Sequence, residues 1–335
     1  ITDFEPRAPW LSLHGAVLSD VFLFAADDGE HGLELWATDG TGARLVRDLD
    51  DSDRGGSFPY ALSKLGDKVF FFADDGTHGY ELWKSDGTET VLVAELFPGE
   101  PEVLGSAAVG DELFLSVDGA IWKTDGTTIQ KVADVEAREL TSLQGDLWYT
   151  AEGGLWRGNV RIPGPSNPFL LTEHAGRLWF FDDAGLWNSD GLQVAGRNGF
   201  LLASVREDLL ISDTRGLWQG TRIIGPAADP GTPWTVFQGR LYYTSGNQLW
   251  ATALGPLGAP GAVSFAILGD RLLFVTGGSG IPLWATDGAE TVKVRDLAPG
   301  FIGGVELLAA GEQVFFPALG HDTGMELWAL GASDP

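Results

Sequence analysis

Short apolar runs bounded by Gly, Asp or Ser follow one another along the whole chain. Val21-Phe22-Leu23-Phe24, Val69-Phe70-Phe71-Phe72, Leu178-Trp179-Phe180-Phe181 and Leu241-Tyr242-Tyr243 are the clearest. Each follows a turn-like pair, as in Ser19-Asp20, Gly66-Asp67, Gly176-Arg177 and Gly239-Arg240. Aromatic and β-branched runs of this length between turn residues predict strands joined by hairpins. No stretch carries a helical period, so the pattern predicts an all-β chain.

A second marker runs in step with the first. Ten to sixteen residues beyond each pair stands a Leu-Trp step, Ile-Trp in the third instance, ending in Trp36, Trp83, Trp122, Trp156, Trp187, Trp218, Trp250, Trp284 and Trp328. Spacings of 31 to 47 residues make these nine copies of one unit. The second copy predicts strands near 60–65, 68–72, 80–84 and 91–96, with Asp86-Gly87 turning the third into the fourth. Asp-Gly suits that turn because Gly accepts positive φ and Asp bonds its own backbone.

Four short strands per copy, repeated radially, predict a β-propeller. The repeats fall near 16–49, 58–96, 103–135, 138–162, 168–195, 199–224, 233–254, 262–297 and 303–330. The expectation is a single closed domain over 1–335 with nine blades of four antiparallel strands. Eight is the alternative, with repeat four or seven a linker or distorted blade. The last repeat stops after its third strand. Ile1-Thr2-Asp3-Phe4 reads like Val294-Arg295-Asp296-Leu297, so residues 1–4 are expected to complete that blade. The nine tryptophans are read as structural, each filling the wedge between blades and burying on the order of 200 Å².

The formal net charge is −26 and the chain has no cysteine. That balance argues against nucleic acid and anionic membranes as partners and for cations or basic proteins. Disulfides, thiol catalysis and zinc-thiolate sites are excluded. No apolar stretch reaches the 18 or so residues a membrane helix needs. A monomer is expected.

Trp36-Ala37-Thr38-Asp39-Gly40-Thr41 and Trp83-Lys84-Ser85-Asp86-Gly87-Thr88, preceded by Glu34-Leu35 and Glu81-Leu82, resemble the ELWxxDGT-repeat proteins of bacteria. Trp122 to Thr127 and Trp284 to Gly288 keep much of the pattern, while repeats four, six, seven and nine lack the Asp-Gly. The resemblance implies a secreted or cell-surface bacterial protein. It implies no reaction.

The repeats are not equal. From the turn pair to its Trp, repeats one, two and nine carry six residues more than the minimal ten, and repeat eight carries four more. Ring closure would make these four consecutive, so the insertions would form one sector. The extra residues lie between the second and third strands and read Asp27-Asp28-Gly29-Glu30-His31-Gly32, Asp74-Asp75-Gly76-Thr77-His78-Gly79 and Gly320-His321-Asp322-Thr323-Gly324. Residues 1–105 hold 21 acidic and 7 basic side chains. Glu34, Glu81 and Glu326 add to this count, and a raised acidic rim is the expectation.

Three functions follow from different classes. The first is a non-enzymatic binding or scaffold module taking a protein partner through this sector, with Asp27, Asp28, His31, Asp74, Asp75, His78, Tyr80, His321 and Asp322 as ligand-binding candidates. The second is a carbohydrate-binding lectin, for which Tyr80, Trp10 and Trp234 are aromatic candidates. The third is a hydrolase. It is disfavoured because the first-strand positions hold only Glu173 and Glu306 as acids and no histidine or arginine cluster. No cofactor is expected except calcium, for which Asp27, Asp28, Asp74 and Asp75 are candidate ligands although no EF-hand string occurs.

Overall fold

The computed structural model describes residues 15–52, 55–97, 99–196, 199–277, 280–298, 306–320 and 324–331. Its described residues hold no helix. They form nine antiparallel sheets, each a meander in chain order, and the chain is a nine-bladed β-propeller. The strands of a blade are labelled A to D. Blade 1 consists of Ala16–Leu18, Val21–Asp27, Leu33–Thr38 and Ala43–Arg47. Blade 2 consists of Tyr60–Leu65, Lys68–Asp74, Tyr80–Ser85 and Thr90–Ala94. Three strands of blade 9 are described: Leu308–Ala310, Gln313–Gly320 and Gly324–Gly331. The expected fourth, from residues 1–4, lies outside the described residues.

Repeats four and seven are full blades rather than linkers. Strand D of blade 7 is Gly255–Pro260, beyond the expected boundary at 254. Its sequence of glycine, proline and alanine has little strand propensity, which is why pattern alone misses it.

The chain divides into two compact units. One comprises residues 1–101, 126–128 and 262–335 and holds blades 8, 9, 1 and 2. Three apolar layers run through it in that order. Val275 and Leu283 of blade 8 pack with Val314 and Phe316 of blade 9, and Phe315 and Leu327 of blade 9 pack with Phe22 and Phe24 of blade 1. Leu23 and Leu35 of blade 1 then pack with Phe71 and Trp83 of blade 2. Blades 9 and 1 are therefore neighbours, and the four long-loop repeats are consecutive in space. The other unit, 102–125 and 129–261, joins blades 3 to 7 through equivalent layers.

Strand C shows why the Leu-Trp step repeats. Side chains alternate sides along a strand, so Leu35 faces blade 2 while Trp36 faces blade 9. Trp83 faces blade 1, Trp156 blade 3, Trp187 blade 4, Trp250 blade 6 and Trp328 blade 8. These six Trp side chains each pack against the blade before their own.

Where the motif keeps its Asp-Gly, the turn after the Trp closes the C–D hairpin. Thr38 Oγ1 donates to Gly42 O and accepts the Gly40 amide, while Asp39 accepts from the Thr41 amide and hydroxyl. Ser85 with Asp86, and Thr286 with Asp287, repeat the backbone contacts without the second hydroxyl bond. The glycine is needed twice over. Gly40 has φ +85°, and a Cβ there would overlap the Gln313 carboxamide of blade 9. Gly126 (φ +86°) would place a Cβ 3.1 Å from Phe70 of blade 2. These two turns thus rest on the blade before their own.

Candidate functional site

The inserted B–C loops of blades 1 and 2 fold alike. Asp27 Oδ1 accepts the Gly29 amide at 2.7 Å and Asp74 Oδ1 the Gly76 amide at 2.8 Å. Asp28 Oδ1 accepts the amides of Glu30 and His31, and Asp75 Oδ1 those of Thr77 and His78. The second oxygen of each meets an imidazole: Asp28 Oδ2 to His31 Nδ1 is 2.8 Å, and Asp75 Oδ2 to His78 Nδ1 is 2.7 Å. His78 also lies 3.7 Å from Glu95 through Nε2.

These contacts set the protonation of the loops. Partial burial pushes the Asp28 carboxyl up. The amides of His31 and Glu30 and the His31 ring together outweigh it and hold the group below the ordinary carboxylate value. Asp75 is lowered by the same balance. The hydrogen bond to Asp28 raises His31, and the one to Asp75 raises His78. Asp28 and Asp75 are therefore committed to their own loops. Among the described residues no group of three or more Asp, Glu or His is placed to hold a metal ion.

Glu34 and Glu81 correct the expected rim. Neither is on the surface: Glu34 is fully buried and Glu81 is 4% exposed. Glu34 accepts from the amides of Leu49, Asp50 and Ser57 and from the Ser57 hydroxyl. Glu81 accepts from the amides of Leu96 and Phe97. Burial pushes both carboxyls up, against the pull of these donors. The glutamate of the motif is a bracket for the connection to the next blade.

In blade 1 that bracket builds a pocket. The connection folds back over the B–C loop. Leu33 N donates to Gly55 O at 2.8 Å, and Phe58 N donates to Leu33 O at 3.0 Å. The backbones touch so closely that a Cβ on Gly32 (φ +74°) would overlap Gly55. Between loop and connection lies a pocket of about 340 Å³, lined by Asp27, Glu30, His31, Asp48, Asp50 and Asp51. No lysine or arginine among the described residues lines it. Sequence pattern pointed to Asp27 and His31; the contribution of Asp48, Asp50 and Asp51 depends on the fold-back that Glu34 imposes.

The other candidates are dispersed. Tyr80 is half-buried and stands edge-on to Tyr60, ring centroids 5.8 Å apart. Burial raises its hydroxyl pKa, with Glu100 and Asp74 adding to the shift. Trp234, on strand A of blade 7, is 39% exposed. Trp10, His321 and Asp322 lie outside the described residues, as does the side chain of Glu326.

For catalysis, strand A of blade 4 (Arg138–Leu143) adds an acid that the pattern did not count, Glu139. Its carboxylate accepts the Leu171 amide at 3.1 Å. Glu306 precedes strand A of blade 9 rather than lying on it. His174 Nδ1 lies 2.9 Å from Ser204 Oγ, but among the described residues no carboxylate hydrogen-bonds this imidazole. A hydroxyl and an imidazole without an orienting acid do not by themselves define an active site.

The fold and site define an all-β propeller with an acidic pocket on one blade. No family model and no curated protein matches the chain. Solved structures do. The crystal structure of a computationally designed protein aligns over 94% of this chain and 95% of its own, with 15% identity and TM-score 0.52. An extracellular domain from B. thetaiotaomicron aligns over 95% of this chain at 14% identity and TM-score 0.43. A puromycin-hydrolysing peptidase of Mycobacterium tuberculosis aligns over 83% at 12% and 0.45. Each match covers 51% of the latter two proteins, so the chain spans about half their length. At these identities the likeness shows the fold alone.

Proposed function

We propose that this protein is a non-enzymatic binding module of the ELWxxDGT-repeat kind, displayed at the bacterial surface or secreted, which takes a basic segment of a partner protein in the blade 1 pocket. The observation that carries this reading is the pocket lining: five carboxylates and one imidazole, with no described cationic side chain to neutralise them. Glu30, Asp48 and Asp51 are exposed there, and the Asp28–His31 pairing and the Glu34 bracket hold the walls in place before any ligand arrives. Lysine or arginine side chains entering this pocket gain charge-assisted hydrogen bonds and electrostatic steering.

The test is binding of a hexa-arginine peptide, read by fluorescence anisotropy at low and physiological salt. Glu30→Lys/Asp48→Lys/Asp51→Lys should weaken binding at least tenfold more than Asp67→Lys/Asp111→Lys/Glu207→Lys, which changes the net charge equally on exposed turns. Equal losses in the two triples would mean that the peptide reads only net charge, and the assignment to this pocket fails. Asp28 and Asp75 are poor choices for this test, because reversing them breaks the loops themselves.

A further inference from the structure

A second cavity, about 610 Å³, lies over blade 4. Its B–C hairpin is minimal: strand B, Asp146–Ala151, and strand C, Gly154–Arg157, are joined by Glu152-Gly153 alone. Blade 3 is equally short, turning at Asp118-Gly119. Where blade 1 carries its inserted loop, the space left is about 340 Å³; here an open cleft of about 610 Å³ remains. Its walls are the connections into blade 4, through Glu136 and Arg138, and into blade 5, through Asn167 and Pro168.

The polar groups of this cleft are only half used. Arg138 donates through Nε and Nη2 to one oxygen of Glu136, at 3.3 and 2.9 Å. That leaves Glu136 Oε2 as an acceptor and Arg138 Nη1 as a donor. Thr150 Oγ1 donates to Arg138 O and keeps its acceptor capacity. Asn167 is anchored by its backbone, its amide donating to Gly153 O at 2.9 Å, and its carboxamide lies over Gly153. Glu152 is exposed and makes no ion pair with the described residues.

Glu152 holds the first place of a left-handed turn, as Gln144, Ala175 and Gln238 do elsewhere. It sits at φ +49°, followed by Gly153 at +65°, as in a type I′ turn. Such turns favour Asn or Asp first, whose short side chains bond the local backbone. Glutamate accepts the left-handed conformation at a cost in stability and makes no such bond here.

We infer that this cleft binds a short oligosaccharide carrying a free amine. Interleaved single-role groups suit a polyol, because each sugar hydroxyl both donates and accepts. Glu136 and Glu152 can only accept, Arg138 can only donate, and Asn167 does both. A peptide anchored by an aromatic or aliphatic side chain is disfavoured, because this lining offers only Val135, Ala151 and Pro168 as apolar side chains. The unpaired Glu152 supplies the counter-charge for an amine. The site lies in the unit of blades 3 to 7 and does not depend on the blade 1 pocket.

The experiment is calorimetric titration of the full chain with the β-linked trisaccharide of glucosamine, its N-acetylated form and trilysine. The glucosamine trisaccharide should bind at least tenfold tighter than either of the others. Glu152→Asn should weaken it at least tenfold while the melting temperature stays level or rises, which separates lost binding from lost folding. Arg138→Gln should weaken it as well. The proposal is overturned if the glucosamine trisaccharide fails to bind at millimolar concentration, or if trilysine or the acetylated sugar binds as well. It is equally overturned if Glu152→Asn binds like the unsubstituted protein.

Discussion

Glu34 and Ser57 are 23 residues apart in the chain, yet the buried carboxylate of one accepts both the amide and the hydroxyl of the other, at 2.8 and 2.5 Å. This contact decides where the linker after blade 1 lies, and through it where Asp48, Asp50 and Asp51 point.

Removing the Glu34 carboxylate strands three amides and a hydroxyl. Glu34→Ala should cost about 2–4 kcal/mol, since each buried donor left without a partner costs about 1–3 kcal/mol before relaxation. Glu34→Gln keeps one acceptor oxygen and should cost less. Burial raises the folded-state pKa of Glu34. Its contribution is therefore complete below the unfolded-state value and is lost as pH rises through the folded value. Chemical denaturation should show the deficit of Glu34→Gln shrinking between pH 4 and pH 7; a constant deficit would refute the titration.

Gly32 and Gly79 occupy the same place in their loops, at φ +74° and +82°, but only Gly32 meets a backbone. Gly79→Ala should cost roughly 1 kcal/mol, the usual penalty of a left-handed alanine. Gly32→Ala must also separate the loop from Gly55 and should cost at least about 3 kcal/mol, within the upper range for strain at a special φ. Comparable melting temperatures for the two variants would show that the close approach contributes nothing.

Both loop histidines should titrate above the ordinary histidine value, followed by their ring proton shifts. Asp28→Asn should bring His31 down and leave His78 where it was; Asp75→Asn should do the converse. With raised folded-state values, the stabilisation from each pair is present below the unfolded pKa and fades as pH rises through the folded one. If the Asn variants leave the titrations unmoved, the pairs do not form in solution.

Asp213 binds the Arg215 guanidinium and the Trp218 indole N–H. Burial pushes its carboxyl up, but these partners prevail and bring it to about 2. Asp213→Asn should destabilise blade 6 at neutral pH by roughly 1–3 kcal/mol. That difference should vanish as pH falls from about 4 toward 2, since a depressed pKa stabilises only above it. Acid denaturation curves that stay parallel down to pH 2 would contradict this.

Calcium and EDTA should leave the melt unchanged, because Asp28 and Asp75 already serve amides and imidazoles. A rise of several degrees with calcium would require ligands from beyond these loops.

The repeat, the strands and the turn chemistry were legible in the sequence because each rests on local rules: alternation around Trp36 and Trp83, and Asp-Gly after them. The contiguity of blades 8, 9, 1 and 2 was legible from loop lengths once closure was assumed. The depth of an acid was not. Glu34 and Asp48 are the same chemistry on paper, and only the fold-back of the linker puts one inside and the other at a pocket mouth. The cleft over blade 4 was hidden for the opposite reason: it arises from residues that are missing between Ala151 and Gly154. Nothing in the turn at Glu152 marks it in the sequence, because Gln144, Ala175 and Gln238 hold the same place in other hairpins.

The turn at Gly40 rests on Gln313, so a turn of blade 1 is seated on blade 9, which is made much later in synthesis. The two residues are 273 positions apart, which at about 5–20 residues per second means a wait of roughly 15–55 s. Throughout that interval Phe22, Phe24 and Trp36 have no partner layer, and the nascent chain carries an open aromatic face. The same layer that joins blade 9 to blade 1 makes synthesis a race between the ninth blade and any other chain that reaches that face first.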